Sequence, residues 1–266
     1  MFGQQRVLSG SDLPVTRQSW ILRKIADSGA VHTNDLADEL HVSVETIRRD
    51  LASLERNGAV ERVHGGAVSL GQRLGQEPSF QDRSAASAPA KTRIGVAAAG
   101  LVQDGATLFV DVGTTALAVA AALPAGFHGI VATNSLLAAA ELARRPGLTV
   151  LATGGRVRPD DMAMAGQHAL ALLECLRVDV AFLGSGGVHP TSGLTDFHID
   201  EVATRHVMMR NSAKTYVLAD SRKFNVIAPF HVATWDAFTG LITDAEPPAG
   251  LRTAIVNAGA EVVVAT

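Results

Sequence analysis

The stretch FVDVGTT (residues 109–115) joins an apolar, β-prone run to a helical pattern through Gly113. The run ends at Asp111-Val112, and Gly113-Thr114-Thr115 opens the helix. Backbone N–H groups at a helix start, with two hydroxyls and no bulk at the glycine, form an anion site. The same residues also make an ordinary tight βα turn. Further β-prone runs end in Thr133-Asn134, in Thr153-Gly154-Gly155-Arg156, in Gly184 and in Asp220-Ser221-Arg222-Lys223. If these runs are parallel strands, the turns converge on one sheet edge, where open α/β sheets bind ligands. Lys223 would neutralise a phosphate, with Arg156 as a further cation. Asp111, Asn134 and Asp220 would hold sugar hydroxyls. Two plainer readings stand beside these: Asp111 caps its own turn, and Lys223 is a solvated lysine.

A second constellation lies near the N-terminus. The run from Val44 to Asn57 carries Ile47, Leu51 and Leu54 at helical spacing, and Gly58 ends it. Ser43, Glu45, Thr46, Arg49 and Ser53 then point away from that stripe, with Arg48 at its flank. Hydroxyl and guanidinium groups near a helix start suit the DNA major groove, where Arg pairs with guanine edges or phosphates. Arg62 and His64, in the following short β-prone runs around Gly65-Gly66, are candidate backbone contacts. An Arg-Arg pair alone is more often solvated; the ordered helices, turn and wing favour the DNA-binding reading.

Those side chains need elements to hold them. Residues 1–16 read as a tail. From Arg17 the pattern is helical, with Trp20, Ile21, Ile25 and Ala26 on one face and Gly29 as a stop. Thr33 is placed to cap a short helix whose inner face is Leu36, Ala37 and Leu40. A tight turn at Val42-Ser43 leads to the third helix, and AVERVHGGAV forms a hairpin or wing. Three helices and a wing make a winged helix-turn-helix. Residues 69–90, rich in Gly, Ser, Pro, Ala and Gln, read as a linker in which Phe80 is an anchor. From Lys91 the chain alternates helical and apolar β-prone segments, which predicts a mostly parallel sheet covered on both faces. The expected organisation is a winged helix-turn-helix over 14–68, a linker over 69–90 and an α/β domain over 91–266.

Composition narrows the function classes. The hydrophobic fraction is 47% and the charged fraction 18%, which suits a globular chain with a substantial core. The net charge is −3, and residues 1–68 hold eight Lys/Arg against nine Asp/Glu, so bulk electrostatics give a DNA-binding reading no support. No apolar run approaches the roughly 20 residues of a membrane span. The first residues, MFGQQRVLSGSDLP, lack the apolar stretch of a secretory signal, and a cytoplasmic protein is expected. The lone Cys175 excludes an internal disulfide and reads as a buried small residue in an apolar helix. Neither a G-x-x-x-x-G-K-[ST] loop nor a G-x-G-x-x-G run occurs, and no cofactor is expected. His189 and His198 flank a Gly/Thr-rich loop and read as polar loop residues rather than metal ligands.

The segment TNDLADELHVSVETIRRDLASLERNGAVERVHGGA resembles the N-terminal signature of the DeoR family of bacterial transcription regulators. The resemblance implies that Val44 to Asn57 is a recognition helix. It continues through DVGTT, ATNSL, ATGG, FLG, GLTD and LADSRKF, so that it covers roughly Arg17 to Asp244. Such sensor domains are similar in fold to ribose-5-phosphate isomerase and bind phosphorylated sugars. The family's usual D-S-S-K reads D-S-R-K here, which places Arg222 beside Lys223. In the isomerases the catalytic glutamate lies fifteen residues before the Asp of that motif; counting back from Asp220 reaches Arg205, with Glu201 one helical turn earlier. The isomerase's D-G-A-D-E loop is replaced by FLGSGG. The resemblance therefore implies a phosphate cradle without the catalytic base, hence no catalytic residue; no metal is expected either, from the lone cysteine and the plain reading of His189 and His198. The expected function is a repressor of a carbohydrate-utilisation operon, binding operator DNA as a homodimer or homotetramer and controlled by a phosphorylated sugar. The alternative is a phosphosugar isomerase with an appended DNA-binding unit.

Overall fold

The helical stripe read from the sequence is the packing face of the first of two compact units, Met1–Gln76 and Glu77–Thr266. The computed structural model describes residues 14–28, 30–56, 59–63, 65–69 and 77–266. The first unit contains α1 (Pro14–Ser28), β1 (Ala30–His32), α2 (Thr33–Glu39), α3 (Val44–Arg56), β2 (Val60–Val63) and β3 (Gly66–Ser69). Ile21 and Ile25 of α1, Leu36, Ala37 and Leu40 of and after α2, and Ile47, Leu51 and Leu54 of α3 form one core. Two expectations change. Thr33 is the first residue of α2 rather than its cap, and its N–H donates to the Gly65 carbonyl at 2.8 Å. The wing has three antiparallel strands in the order β1-β3-β2 rather than two. The paired glycines explain themselves here. Gly65 has φ +89°, and a Cβ on Gly66 would lie 1.9 Å from the Val31 carbonyl oxygen, so β1 and β3 approach only without a side chain there. Asn57, Gly58 and His64 lie outside the described residues, as does Gly29.

The second unit opens with α4 (Phe80–Ala85) and α5 (Ala88–Ala99), so the linker expected over 69–90 gives way to helix in its C-terminal half. Ser79 accepts from the Asp82 N–H and donates to its carboxylate, a capping arrangement that starts α4 in a segment of otherwise weak periodicity. Then follow β4 (Thr107–Val110), α6 (Thr114–Ala122), β5 (Gly129–Thr133), α7 (Leu136–Leu142) and β6 (Leu148–Ala152). A small hairpin, β7 (Arg156–Val157) with β8 (Met164–Ala165), precedes α8 (Gln167–Glu174) and β9 (Val178–Leu183). Next come β10 (Gly187–His189), β11 (Gly193–Asp196), α9 (Ile199–Asn211), β12 (Ser212–Leu218) and β13 (Phe230–Ala233). The chain closes with β14 (Gly240–Thr243), α10 (Ala249–Asn257) and β15 (Glu261–Val264).

Seven strands form one parallel sheet in the order β15-β14-β12-β9-β4-β5-β6. Alternate residues of each strand enter different cores. Leu108 and Val110 pack with α5, α6 and α7 through Ile94, Val119 and Leu142, whereas Phe109 joins the core of Val202, Met208, Leu251 and Ile255 on the opposite face. Burial on both faces is why these strands read as unbroken apolar runs. A second sheet, β10-β11-β13, packs its Val188, Leu194 and Val232 into that opposite core. Chain order along the main sheet reverses between β4 and β9, so the topological switch point lies where Asp111-Gly113 and Gly184-Gly186 leave the sheet. Cys175, expected to be buried, ends α8 as its C-cap and is exposed.

Candidate functional site

On α3 the helix start is organised by Ser43, whose Oγ accepts the Thr46 N–H at 3.1 Å and lies 2.8 Å from the Thr46 hydroxyl. Both hydroxyls therefore spend part of their bonding capacity on the cap. Glu45 pairs with Arg48 at 3.8 Å and with Arg49 at 3.6 Å. The Arg49 side chain is 80% exposed and that of Arg48 62%, so these pairs hold the guanidiniums weakly. Arg62 on β2 is exposed and lies 3.8 Å from Glu55. One residue of the Arg48-Arg49-Asp50 run works inward: Asp50 is buried, accepts from Arg17 at 2.5 Å and from Gln18 at 3.2 Å, and ties α1 to α3. Its separation from those partners hid this role in the sequence. Replacing Arg49 by Ala should weaken operator binding by about 1–3 kcal/mol while leaving the melting temperature of the chain unchanged. Anisotropy titrations at fixed salt on a duplex obtained by in vitro selection check this, and an unaltered affinity would remove Arg49 from the interface.

In the second unit, the carboxyl edge of the sheet collects most of the residues singled out above. Gly113 is the N-cap of α6 with φ +119°, and a Cβ there would meet no atom within 4 Å. The half-buried Thr114 and Thr115 are the first two residues of that helix, whose leading amides have no carbonyl partner within it. Asn134 and Thr153 follow β5 and β6. The Asn134 Oδ1 and Thr153 Oγ1 atoms are buried without a hydrogen-bond partner among the described residues, and the third such atom, Thr243 Oγ1, also sits at a strand's carboxyl end. Buried acceptors left open cost free energy; their gathering on one edge marks where a polar ligand would satisfy them. Gly154, at φ +72°, has open space about its Cβ position, while a Cβ on Gly155, at φ +94°, would lie 2.4 Å from the Ala165 carbonyl oxygen. Lys223 donates to the Gly186 carbonyl at 3.2 Å, which brings the end of β12 to the end of β9. Burial pushes its ammonium below the usual lysine range, with Glu77 and Asp220 opposing.

Three expected ligand contacts play different parts. Asp111 is fully buried: one oxygen takes the Val112 N–H at 2.8 Å, the other the Gly184 N–H at 3.0 Å and Arg205 Nε at 2.7 Å. It caps its turn and fastens β4 to β9 across the switch point instead of presenting itself to a sugar. Asp220 is likewise buried and is chelated by Arg222 through Nε at 3.1 Å and Nη2 at 3.0 Å. Arg156 sits on β7 at the surface and pairs with Asp200 of α9 at 2.6 Å.

Arg205 on α9 is the largest fully buried side chain among the described residues. Its Nε holds Asp111, Nη1 holds Asp196 and Nη2 holds Glu201 at 3.0 Å. Glu201 also receives Arg158, which grips Asp161 at 2.5 and 3.0 Å; Arg83 lies 3.8 Å from Asp161 and 2.8 Å from Glu77. Three guanidiniums thus face five carboxylates, and burial, joined by Asp196 and Asp111, pushes the Glu201 carboxyl up to about 8 against the pull of Arg205 and Arg158. The partners in this cluster are up to 94 residues apart in the chain, and no local pattern announces them.

Gly113→Val should abolish ligand binding at this edge while sparing DNA binding. The backbone at φ +119°, ψ 163° is a glycine region, costing another residue about 1–3 kcal/mol, and the side chain would stand before the first amides of α6. Ligand-induced melting shifts that survive the change would remove α6 from the site. Among the described residues no group of His, Cys, Asp or Glu is placed to hold a metal ion, and no helix is long and apolar enough to cross a membrane.

Comparison with known proteins agrees along the chain. A model of the DeoR-like helix-turn-helix domain matches residues 17–73, and one of the DeoR C terminal sensor domain matches residues 86–245. The chain is 34% identical over 253 residues to the uncharacterized HTH-type transcriptional regulator YgbI of Escherichia coli K12, covering 95% of this chain and 98% of that one. It is 30% identical over 241 residues to the glycerol-3-phosphate regulon repressor of the same organism, covering 91% and 95%. A ribose 5-phosphate isomerase A structure from Methanocaldococcus jannaschii superposes with a TM-score of 0.40 at 18% identity, over 52% of this chain and 55% of that one.

Proposed function

The chain belongs to the DeoR family of transcriptional regulators, and from that premise we propose that it represses a carbohydrate-utilisation operon and is released by a phosphorylated sugar. The winged helix-turn-helix, residues 14–68, reads operator DNA with Arg48, Arg49, Thr46, Ser43 and Glu45 of and before α3, and Arg62 and His64 steady the wing on the backbone. The chain acts in the cytoplasm as a homodimer or homotetramer, so that paired half-sites raise affinity through effective concentration.

The observation that carries the effector reading is the convergence at the switch point. Helix-start amides at Gly113-Thr114-Thr115, the half-buried Lys223 and the open acceptors Asn134 Oδ1 and Thr153 Oγ1 share one edge of the sheet. A phosphate takes the amides and Lys223, and sugar hydroxyls donate to Asn134 and Thr153. Gly154 leaves room for the sugar, while Gly155, Gly184, Asp111 and Asp220 shape the floor. The competing reading, aldose–ketose isomerisation, needs a carboxylate free to take a proton from carbon. Glu201 is held from both sides by Arg205 and Arg158, which favours a sensor that binds its ligand without consuming it.

Thermal stabilisation of the full chain against a panel of sugar phosphates, with the unphosphorylated sugars as controls, tests this. A rise confined to phosphorylated compounds is expected; a flat response to every member of the panel contradicts it.

A further inference from the structure

Two of the open acceptors at the sheet edge are tied to one small element. Thr153 follows β6, and Gly154-Gly155 lead from it straight into the β7–β8 hairpin. The same hairpin is bonded to the segment after β5. The Met164 N–H donates to the Asn134 carbonyl at 2.7 Å, the Leu136 N–H donates to the Met162 carbonyl at 3.1 Å, and Ser135 bridges Ala163 between them. The backbone at and after Asn134 is therefore held by the hairpin, while the Asn134 Oδ1 is left open.

The tip of the hairpin is fastened to a different part of the unit. Its ladder has two residue pairs, Arg156 with Ala165 and Val157 with Met164, too few to hold it together unaided. Beyond them the Arg158 N–H donates to the Ala163 carbonyl at 2.8 Å, and Asp160 at φ +76° and Met162 at φ +55° adopt left-handed backbone. Such backbone in residues other than glycine persists where its surroundings impose it. Leu136 imposes it on Met162 from the side of the sheet edge. From the other side the Asp160 carboxylate accepts the Phe80 N–H, the first amide of α4, at 2.8 Å. Asp161 lies 3.8 Å from Arg83 of the same helix and is gripped by Arg158, which also reaches Glu201. Because none of the residues of α4 is buried, bonds of this kind decide how firmly its start is held.

We propose that the β7–β8 hairpin transmits occupancy of the effector site to α4, with Asp160 as the positioning residue. A sugar hydroxyl bonded to Asn134 steadies the hairpin, and the hairpin steadies the start of α4 through the Asp160–Phe80 bond. This rests on the reading of Asn134 as a ligand contact. It deepens that reading by naming the route from the contact to α4, the first helix after the chain leaves the DNA-binding unit. Asp160 is exposed and bonds to α4, so it governs the response without adding to the affinity for the effector.

The test compares the full wild-type chain with Asp160→Gly and Asp160→Asn. Each is titrated by calorimetry with the sugar-phosphate panel, ribose 5-phosphate included, and each is assayed for release of operator DNA at fixed salt. Glycine removes the carboxylate and adopts φ +76° freely, whereas asparagine keeps an acceptor oxygen and tolerates the same backbone. Asp160→Gly should bind the compound that releases the wild-type chain with an affinity within about threefold of wild type, while its operator release falls from about 5- to 150-fold to about twofold or less. Asp160→Asn should release as the wild-type chain does. Full release by Asp160→Gly, or loss of binding together with release, overturns the transmission role and leaves the effector reading standing. A wild-type chain that binds no member of the panel overturns both. Hydrogen exchange of the wild-type chain gives a second reading that needs no variant. Saturation with the same compound should slow exchange of the Met164 and Phe80 amides together, and slowing at Met164 with Phe80 unchanged overturns the proposal.

Discussion

Replacing Arg205 by alanine should cost the second unit at least about 3–5 kcal/mol, the loss typical of breaking a buried ion pair from one side. The reason is directional. One guanidinium reaches Asp111 through Nε, Asp196 through Nη1 and Glu201 through Nη2, and all four groups are buried. Truncation leaves three carboxylates without their shared cation where water does not reach them. Set against a total stability of about 5–15 kcal/mol for a domain, that loss leaves little. Lysine should rescue poorly, because a single ammonium on a flexible stem lacks the planar fork that spans three acceptors. Urea unfolding followed by near-ultraviolet circular dichroism measures this. A variant within about 1 kcal/mol of wild type, the ordinary effect of a point substitution, would mean that the cluster contributes nothing particular.

The second large effect falls on function. Lys223→Ala should leave operator affinity without effector at the wild-type value and reduce the effector response, expected at about 5- to 150-fold in affinity, to none. Lys223 lies in the unit that does not carry α3, and its only side-chain bond among the described residues is to the Gly186 carbonyl. The isosteric Lys223→Met should behave alike, which separates loss of charge from loss of volume. If either variant still releases operator DNA on adding the effector, the phosphate is held elsewhere.

The legible and hidden parts of this molecule divide by range of interaction. Period and punctuation gave α3 its buried face of Ile47, Leu51 and Leu54 and gave β4, β5, β6, β9 and β12 their ends, because both follow from neighbours within a few residues. The local sequence therefore suffices to put Asp111, Asn134, Thr153, Gly184 and Asp220 at one edge. It does not disclose their tasks. Whether Asp111 faces a ligand or its own turn depends on Arg205 and on Gly184, 94 and 73 residues away. Asp50 reads as a helix-surface acid until Arg17 is found against it. The third wing strand, Ala30–His32, is too short to show alternation. The polar helix α4 was lost in a stretch that composition marks as linker; the S-x-x-D spacing of Ser79 and Asp82 was its one local signal.

Glu201 and Arg205 show how a residue count and a geometry answer different questions. The count places an arginine where an isomerase keeps its base and a glutamate one turn away, leaving open whether Glu201 could replace it. The geometry puts that carboxyl between two guanidiniums. An acid so engaged organises the floor of a binding site.

The most direct test is operator affinity of the full chain, measured at fixed salt while the sugar-phosphate panel is added compound by compound. Release by a phosphorylated compound, with its unphosphorylated counterpart inert and Lys223→Ala unresponsive, is the predicted result. Operator binding that no phosphorylated compound alters would contradict the central claim that the strand-edge site governs DNA binding.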